Sequence, residues 1–205
     1  PLFVLLGASI GVSAASKDIY ESMYRWLARV PGGLVIANIL ACGMFAAVCG
    51  SSPATAAAIG KAGVPEMMRR GVPASLATGA ICAGGTLGIL IPPSITMILY
   101  GIATETSIGR LFLSGVVPGI LLVLLFSVYA WLATLVANKE LRPIEEHFTL
   151  KQKSEGLMRV LPFLVLLGAI GYFMYGGLAT PSEIAAIGAA IAGTAGLAEG
   201  TEETA

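Results

Sequence analysis

A cluster of glycines and prolines inside a long apolar stretch constrains this chain more than any other feature. Residues 74–103 are almost entirely apolar, and their middle reads Gly84-Gly85-Thr86-Leu87-Gly88-Ile89-Leu90-Ile91-Pro92-Pro93-Ser94. Three glycines and two prolines within eleven residues disfavour a continuous α-helix, because glycine is too free and proline lacks the N–H group and clashes with the preceding turn. We therefore predict a broken helix over residues 74–104.

The composition predicts that this broken helix lies in a lipid bilayer. Hydrophobic residues make up 56% of the chain, charged residues make up 12%, and the mean hydropathy is +0.86, whereas a typical soluble domain carries about 25% charged residues. Irregular backbone at bilayer depth is tolerated only where it is buried in protein or lines a cavity. Secondary transporters bind substrates and coupling ions at such broken helices. The net charge is zero, so the chain lacks the basic excess that would suggest a nucleic-acid partner.

A second interruption precedes the broken helix. Residues 33–49 are apolar, with about the shortest length that can cross a bilayer, and they are followed by Gly50-Ser51-Ser52-Pro53-Ala54-Thr55. The next apolar piece, residues 56–64, is too short to span. We predict a re-entrant helical hairpin at about residues 33–66, which enters and leaves on the same side. The alternative is one kinked spanning helix followed by a loop.

The basic residues discriminate between these two topologies. In the hairpin topology, three connections share one side of the membrane: residues 17–31, 60–73 and 138–159. Eleven of the twelve basic residues then lie on that side, and only Arg110 lies on the other. The positive-inside rule makes the basic side cytoplasmic. A single crossing by residues 33–64 would weaken this asymmetry, so the charges favour the hairpin.

Further apolar segments complete the predicted fold. Two spans are expected at residues 110–137 and 159–178. Residues 17–31 mix charged and apolar side chains, which predicts a short amphipathic helix in the interface plane, with a charged loop as the alternative. The predicted fold class is an all-α membrane protein, a polytopic helical bundle that contains the re-entrant hairpin and the broken helix.

The two ends of the chain carry separate signals. Pro1 leads directly into an apolar segment without an initiator Met or a charged leader, so we expect a fragment that begins inside the protein rather than a signal peptide. Near the other end, Thr180-Pro181-Ser182-Glu183 forms a capping box that opens a helix. We expect the transmembrane domain to cover residues 1–198 and residues 199–205 to form a polar tail.

The hairpin tip and the broken helix offer the same kind of ligand. Both supply free backbone carbonyls, and their hydroxyls are those of Ser51, Ser52, Thr55, Thr86 and Ser94. Oxygen ligands suit hard cations, and sodium is the natural candidate. The Pro92-Pro93-Ser94 run also begins a new half-helix, whose N-terminus suits a carboxylate. The alternative is that the glycines and hydroxyls only pack helices together.

An enzymatic function is not expected. Gly7-Ala8-Ser9-Ile10-Gly11 matches a nucleophile elbow, but that motif needs a strand-to-helix turn and a histidine partner. The single histidine, His147, lies in a charged segment, and the five residues also form a GxxxG packing face. The three cysteines lack metal-ligand spacing. We predict no catalytic and no cofactor-binding residues.

The motifs resemble the large membrane (M) subunit of tripartite ATP-independent periplasmic (TRAP) transporters of bacteria and archaea. The resemblance covers most of residues 1–197 and depends on the order and spacing of several stretches. They are Gly50-Ser51-Ser52-Pro53-Ala54-Thr55-Ala56, Pro65-Glu66-Met67-Met68 to Gly71, Gly88-Ile89-Leu90-Ile91-Pro92-Pro93-Ser94, Tyr100-Gly101, Ser107-Ile108, Leu111-Phe112 with Gly115 and Pro118-Gly119, and Ala179-Thr180-Pro181-Ser182-Glu183.

This resemblance implies an elevator-type, sodium-driven importer in the bacterial or archaeal inner membrane. A periplasmic substrate-binding protein would deliver an organic anion, such as a C4-dicarboxylate or a sialic acid, and a small four-helix membrane subunit would brace the large one. The resemblance also implies that the family's M subunit is about twice as long as this chain. Residues 181–198 would then begin its second inverted repeat, and the first repeat alone would not transport.

The resemblance also implies a set of site residues. The sodium positions carried over are Cys49, Ser51, Gly88, Ile91 and Pro93, largely through backbone carbonyls. Position 49 is often Ser in the family, and a carbonyl contact would survive that difference whereas a hydroxyl contact would not. Candidate substrate contacts are Ser52, Thr55, Thr86 and Ser94.

An ion channel is the alternative function. The run Gly84-Gly85-Thr86-Leu87-Gly88 has some similarity to a carbonyl-lined selectivity filter. A filter usually follows a pore helix and repeats around an axis, whereas a hairpin tip lies upstream here.

Overall fold

A computed structural model describes residues 5, 10, 15–28, 30–137, 149–175, 180, 183 and 186–190. In this part of the chain the regular structure is α-helical, without strands. The helices are α1 Ala15–Leu27, α2 Gly33–Cys49, α3 Ser52–Arg69, α4 Ala74–Leu90, α5 Ile95–Ala103, α6 Ile108–Ala137 and α7 Leu150–Tyr175. Most of the predicted helix at 181–198 and all of the tail at 199–205 lie outside the described residues.

Helices α2 and α3 form an antiparallel hairpin. Gly50 adopts the left-handed conformation with φ of 62° and donates its N–H to the Ala46 carbonyl, which ends α2. Ser51 is extended, and α3 begins with Pro53 in its first turn. The arms lie side by side, because Asn38 Nδ2 donates to Met67 Sδ at 3.6 Å. Residues 33–64 therefore do not form one kinked helix.

The second arm of the hairpin is longer than we predicted. Helix α3 continues through Pro65 to Arg69, past the predicted end at residue 66 and into the predicted connection at 60–73. Its last turn is stabilised by ion pairs from Glu66 to Arg69 at 2.8 Å and to Arg70. Such i,i+3 and i,i+4 pairs support a helix end, and a pattern read from apolar residues alone misses them.

The break in the next helix is also more local than we predicted. Helix α4 ends at Leu90, residues 91–94 are not helical, and α5 begins at Ile95. The Pro92–Pro93 peptide is cis. The three glycines of the motif remain inside α4, because glycine in a helix costs only about 1 kcal/mol whereas the two prolines remove N–H donors.

One end of the molecule gathers the polar contacts. Arg70 bonds to the Tyr24 hydroxyl, Arg25 Nη1 donates to the Gln152 carbonyl at 3.0 Å, and Arg159 lies 3.9 Å from Asp18. These contacts join α1, the C-terminal end of α3 and the first half of α7. We call this the basic end, and the opposite end, where residues 104–107 join α5 to α6, the far end. The hairpin therefore begins and ends at the same end of the molecule.

Contacts along helix α6 show how far the hairpin extends from its base. Gly32, at the base of the hairpin, packs on Thr134 of α6, whereas Ile91, in the break, packs on Gly119. Gly119 lies eleven residues from the start of α6, which corresponds to about 17 Å of helix. The break therefore lies beside the interior of α6 and not at either end of that helix.

Three helical stretches of the described chain are long and apolar enough to cross a membrane: Ala74–Ala103, Ile108–Val136 and Gln152–Phe173. Large apolar side chains on α6 face outward, for example Val117 and Val136, which are 73% and 84% exposed. Helix α7 begins at Leu150, earlier than the span predicted at 159–178. The protein is a multi-pass, all-α membrane protein, and α1 is a helix rather than a charged loop.

The capping box predicted near the C-terminal end is present. The Thr180 N–H donates to Glu183 Oε2 at 2.7 Å, and the Glu183 N–H donates to Thr180 Oγ1 at 3.4 Å. This reciprocal pair satisfies two N–H groups that a helix start otherwise leaves unpaired.

Candidate ion and substrate site at the hairpin tip

The tip of the hairpin docks on the break between α4 and α5. The Ile95 N–H, at the start of α5, donates to the Gly50 carbonyl at 3.1 Å. Gly50 is packed so closely on Pro93 that a Cβ at this position would overlap the Pro93 carbonyl oxygen. The two interrupted elements of the sequence therefore meet directly, and a side chain at position 50 is excluded.

Glycines of α4 make the second half of this contact. A Cβ on Gly88 would lie 2.7 Å from the Ser52 nitrogen and 3.0 Å from the Ser51 oxygen. A Cβ on Gly85 would lie 2.9 Å from the Ala56 Cβ. The glycines that we expected to break the helix instead allow the backbone of the hairpin tip to approach α4.

The prolines leave carbonyl oxygens of α4 without helical partners. The carbonyls of Gly88 and Ile89 would normally accept from the N–H groups four residues later, which belong to Pro92 and Pro93 and do not exist. By contrast, the Leu87 carbonyl accepts from the Ile91 N–H at 2.8 Å. The Gly88 carbonyl therefore lacks its usual helical donor.

The hydroxyl groups at this junction differ in their environments. Ser94 is fully buried, and its Oγ has no hydrogen-bond partner; Ser52 Oγ is also buried without one. Thr55 is buried and donates from Oγ1 to the Ser51 carbonyl at 2.9 Å, which also accepts from the Thr55 N–H at 3.0 Å. The Ser51 carbonyl therefore already accepts two hydrogen bonds.

The remaining predicted site residues are placed as follows. Cys49 is 2% exposed and ends α2 immediately before the tip. Ile91 is extended at the end of α4. Thr86 lies on an exposed face, away from Gly85 and Gly88, and its hydroxyl donates to the Ala83 carbonyl at 2.6 Å. The structure therefore brings the five sodium candidates to one junction, together with Ser52, Thr55 and Ser94, but not Thr86.

Helix α6 supports the junction from outside, which the residue patterns did not reveal. A Cβ on Gly115 would lie 2.7 Å from the Leu90 oxygen, and a Cβ on Gly119 would lie 3.0 Å from Ile91 Cγ1. Glycines spaced four apart on one helix face allow this close approach. The small residues of α6 were visible in the sequence, but their partner was not.

The chemistry of this junction is that of neutral oxygen atoms. No cluster of three or more His, Cys, Asp or Glu side chains occurs among the residues that the structure describes. The polar groups at the junction are carbonyls and hydroxyls.

The chain matches a family model described as "Tripartite ATP-independent periplasmic transporter, DctM component" over residues 1–200. It is 40% identical over 190 residues to the C4-dicarboxylate TRAP transporter large permease protein DctM of Pseudomonas aeruginosa, covering 92% of this chain and 44% of that protein. It is 35% identical over 191 residues to the isethionate TRAP transporter permease protein DctMQ of Oleidesulfovibrio alaskensis, covering 92% of this chain and 29% of that protein.

A third relative has another substrate in its name. The chain is 33% identical over 190 residues to the ectoine/5-hydroxyectoine TRAP transporter large permease protein UehC of Ruegeria pomeroyi, covering 91% of this chain and 43% of that protein. The chain spans less than half the length of these curated relatives.

Proposed function

This chain belongs to the DctM component family of tripartite ATP-independent periplasmic transporters, and from that premise we propose that it forms part of the membrane subunit of a sodium-coupled importer of organic anions. Family membership agrees with the resemblance seen in the motifs and with a transporter rather than an enzyme. The observation that carries the proposal is the contact between the hairpin tip and the break after α4.

The tip–break junction is proposed to hold the coupling sodium ion. The Gly88 carbonyl lacks a helical donor, and Gly88 itself lies against Ser51 and Ser52. The Pro93 carbonyl lies beside Gly50. Unwound carbonyls of this kind coordinate sodium in transporters with broken helices. Cys49 and Ile91 would contribute through their backbones, so the thiol at position 49 would not prevent binding.

The N-terminus of α5 is proposed to receive the anionic group of the substrate. The N-cap residue of α5 is Ser94, whose side chain makes no capping hydrogen bond. The Ser94 hydroxyl is buried without a hydrogen-bond partner. A helix N-terminus attracts anions through its free N–H groups and its dipole. The relatives are named for C4-dicarboxylates, isethionate and ectoine, and each of these compounds carries a carboxylate or a sulfonate group.

The hairpin is proposed to be re-entrant. Its two ends lie at the basic end of the molecule, and its tip contacts the break about 17 Å before the far end of α6. The positive-inside rule would place the basic end in the cytoplasm of the bacterial or archaeal cell. In an elevator mechanism the hairpin would move with the ion and the substrate. A periplasmic substrate-binding protein and a small four-helix membrane subunit are the proposed partners.

The ion-channel alternative receives less support from the described residues. The glycine run at 84–88 is helical, so most of its carbonyls are engaged in helix hydrogen bonds and do not line a filter.

Uptake into proteoliposomes tests this function. The full-length transporter, reconstituted with its small subunit, should accumulate a radiolabelled organic anion only when a sodium gradient and the substrate-binding protein are present. Succinate, isethionate and ectoine are suitable first substrates. Single-channel current without saturable uptake would instead identify a channel.

A further inference from the structure

A cavity bordered by charged side chains lies at the basic end of the molecule, away from the tip–break junction. It has a volume of about 440 Å³ and opens between α1 and α3. Four cationic side chains line it, from Lys17 and Arg25 on α1 and from Arg69 and Arg70 at the C-terminal end of α3, together with the carboxylates of Glu21 and Glu66. The lining therefore carries an excess of two positive charges, which favours an anionic ligand.

The charged groups of this cavity are held in place by contacts with one another. Arg70 bonds to Glu66 and to the Tyr24 hydroxyl, and its guanidinium lies 4.5 Å from the centre of the Tyr24 ring. Glu66 also pairs with Arg69 at 2.8 Å. Arg25 pairs with Glu21 at 3.5 Å. The two carboxylates are thus paired with three of the four cations, and the lining keeps its cationic excess.

Tyr20 supplies an independent sign of a ligand. This residue lines the same cavity and is 3% exposed, and its hydroxyl is buried without a hydrogen-bond partner. A buried polar group left without a partner costs about 1–3 kcal/mol. An anionic oxygen in the cavity would accept a hydrogen bond from this hydroxyl and remove that cost.

The position of the cavity indicates where such an oxygen comes from. Helix α1 packs against the basic ends of α3 and α7, where the apolar span Gln152–Phe173 begins. Trp26, at the end of α1, is 50% exposed, and the centre of its ring lies 5.5 Å from Lys153 Nζ. Tryptophan and basic residues together mark the headgroup region of a bilayer, and the cytoplasmic leaflet carries anionic lipids.

We propose that this cavity binds the phosphate group of a membrane phospholipid. The Tyr20 hydroxyl would donate to a phosphate oxygen, and Lys17, Arg25 and Arg69 would neutralise its charge. Arg70 would act as a positioning residue, because it fastens α3 to α1 through Glu66 and Tyr24. A lipid held there would link the amphipathic helix to the base of the hairpin.

Native mass spectrometry of the full-length transporter tests this site. Released from nanodiscs that contain phosphatidylglycerol, the wild-type protein should retain one lipid more than the variant Lys17→Gln/Arg69→Gln, whose affinity should fall about tenfold or more. Tyr20→Phe should weaken retention by several-fold without loss of folding, since its hydroxyl has no partner in the protein. The control Arg110→Gln removes the basic residue of the far end and should retain the lipid.

Two results would overturn the proposal. Equal retention of phosphatidylglycerol by the wild type, Tyr20→Phe and Lys17→Gln/Arg69→Gln would show that the cavity holds no lipid phosphate. A competition series with glycerol 3-phosphate and inorganic phosphate identifies the source: displacement of the lipid only at high millimolar concentrations supports the membrane lipid. Tight binding of a soluble phosphate without lipid retention would assign the cavity to a soluble anion and reject the lipid.

Discussion

Gly88 of α4 lies directly against Ser51 at the tip of the α2–α3 hairpin. A Cβ on Gly88 would come within 3.0 Å of the Ser51 oxygen and 2.7 Å of the Ser52 nitrogen. The two residues are separated in sequence by α3 and most of α4, and they meet where Pro92 and Pro93 deprive the carbonyls of Gly88 and Ile89 of helical donors. This contact joins the hairpin to the broken helix and defines the candidate sodium site.

Gly88→Val should abolish this contact. The added side chain would collide with backbone atoms, and overpacking of this kind costs about 1–3 kcal/mol, so sodium-dependent uptake by the full-length transporter should fall about tenfold or more. Gly79→Ala is the control, because Gly79 lies on the same helix and an added Cβ there would meet no atom beyond its own stretch of helix within 4 Å. Wild-type sodium dependence in Gly88→Val would remove Gly88 from the site.

Ser94→Ala should separate a ligand role from a structural one. The Ser94 hydroxyl is buried without a partner in the protein, so its removal should leave the thermal unfolding temperature unchanged or slightly higher. If the hydroxyl is a ligand of the sodium ion or of the anionic substrate, the concentration of that solute at half-maximal uptake should rise by several-fold. Thr78→Ala, which removes an exposed hydroxyl bonded only within its own helix, should change neither quantity. Unchanged uptake kinetics in Ser94→Ala would exclude this hydroxyl as a ligand.

Cys49→Ser and Cys49→Ala should both keep sodium-dependent uptake. We expect position 49 to contribute its backbone, since the end of α2 brings that backbone to the tip beside Gly50. The measurement is the sodium concentration at half-maximal uptake in both variants. A large rise in Cys49→Ala that Cys49→Ser does not share would mean that the side chain is the ligand.

Gly63→Ala should destabilise the hairpin through one buried amide. The Cβ of the variant would overlap the Asn38 side chain, which is fully buried and donates to Met67 Sδ. We expect a loss of about 1–3 kcal/mol in stability. Asn38→Ala should relieve this cost in the double variant, so the two effects should not add. The measurement is the unfolding temperature in detergent. Additive decreases in the double variant would show that the two positions are not in steric contact.

Local chemistry was enough to predict where the chain is interrupted. Pro92 and Pro93 remove N–H groups wherever they lie in a helix, and the small polar run from Gly50 ends one apolar segment before another begins. The basic residues also favoured a topology in which residues 17–31 and 60–73 share a side, and in the structure Arg70 contacts Tyr24.

The features that the sequence did not predict depend on contacts between helices that are distant in the chain. Whether Gly84, Gly85 and Gly88 break a helix or line a contact depends on the element packed against them, and here the hairpin stabilises the helix. Thr86 was grouped with the site because it is a neighbour in sequence, but a helix turns it away from Gly85 and Gly88. The cavity at Tyr20 also requires α1 and α3 to be adjacent, which no local pattern specifies.

Sodium binding to the purified full-length transporter tests the central claim most directly. The stoichiometry and affinity of ²²Na⁺ are measured for the wild type, Gly88→Val and the control Gly79→Ala. The tip–break junction predicts that Gly88→Val binds one sodium ion fewer than the wild type, while Gly79→Ala matches it. Equal binding by Gly88→Val and the wild type would contradict a sodium site at this junction.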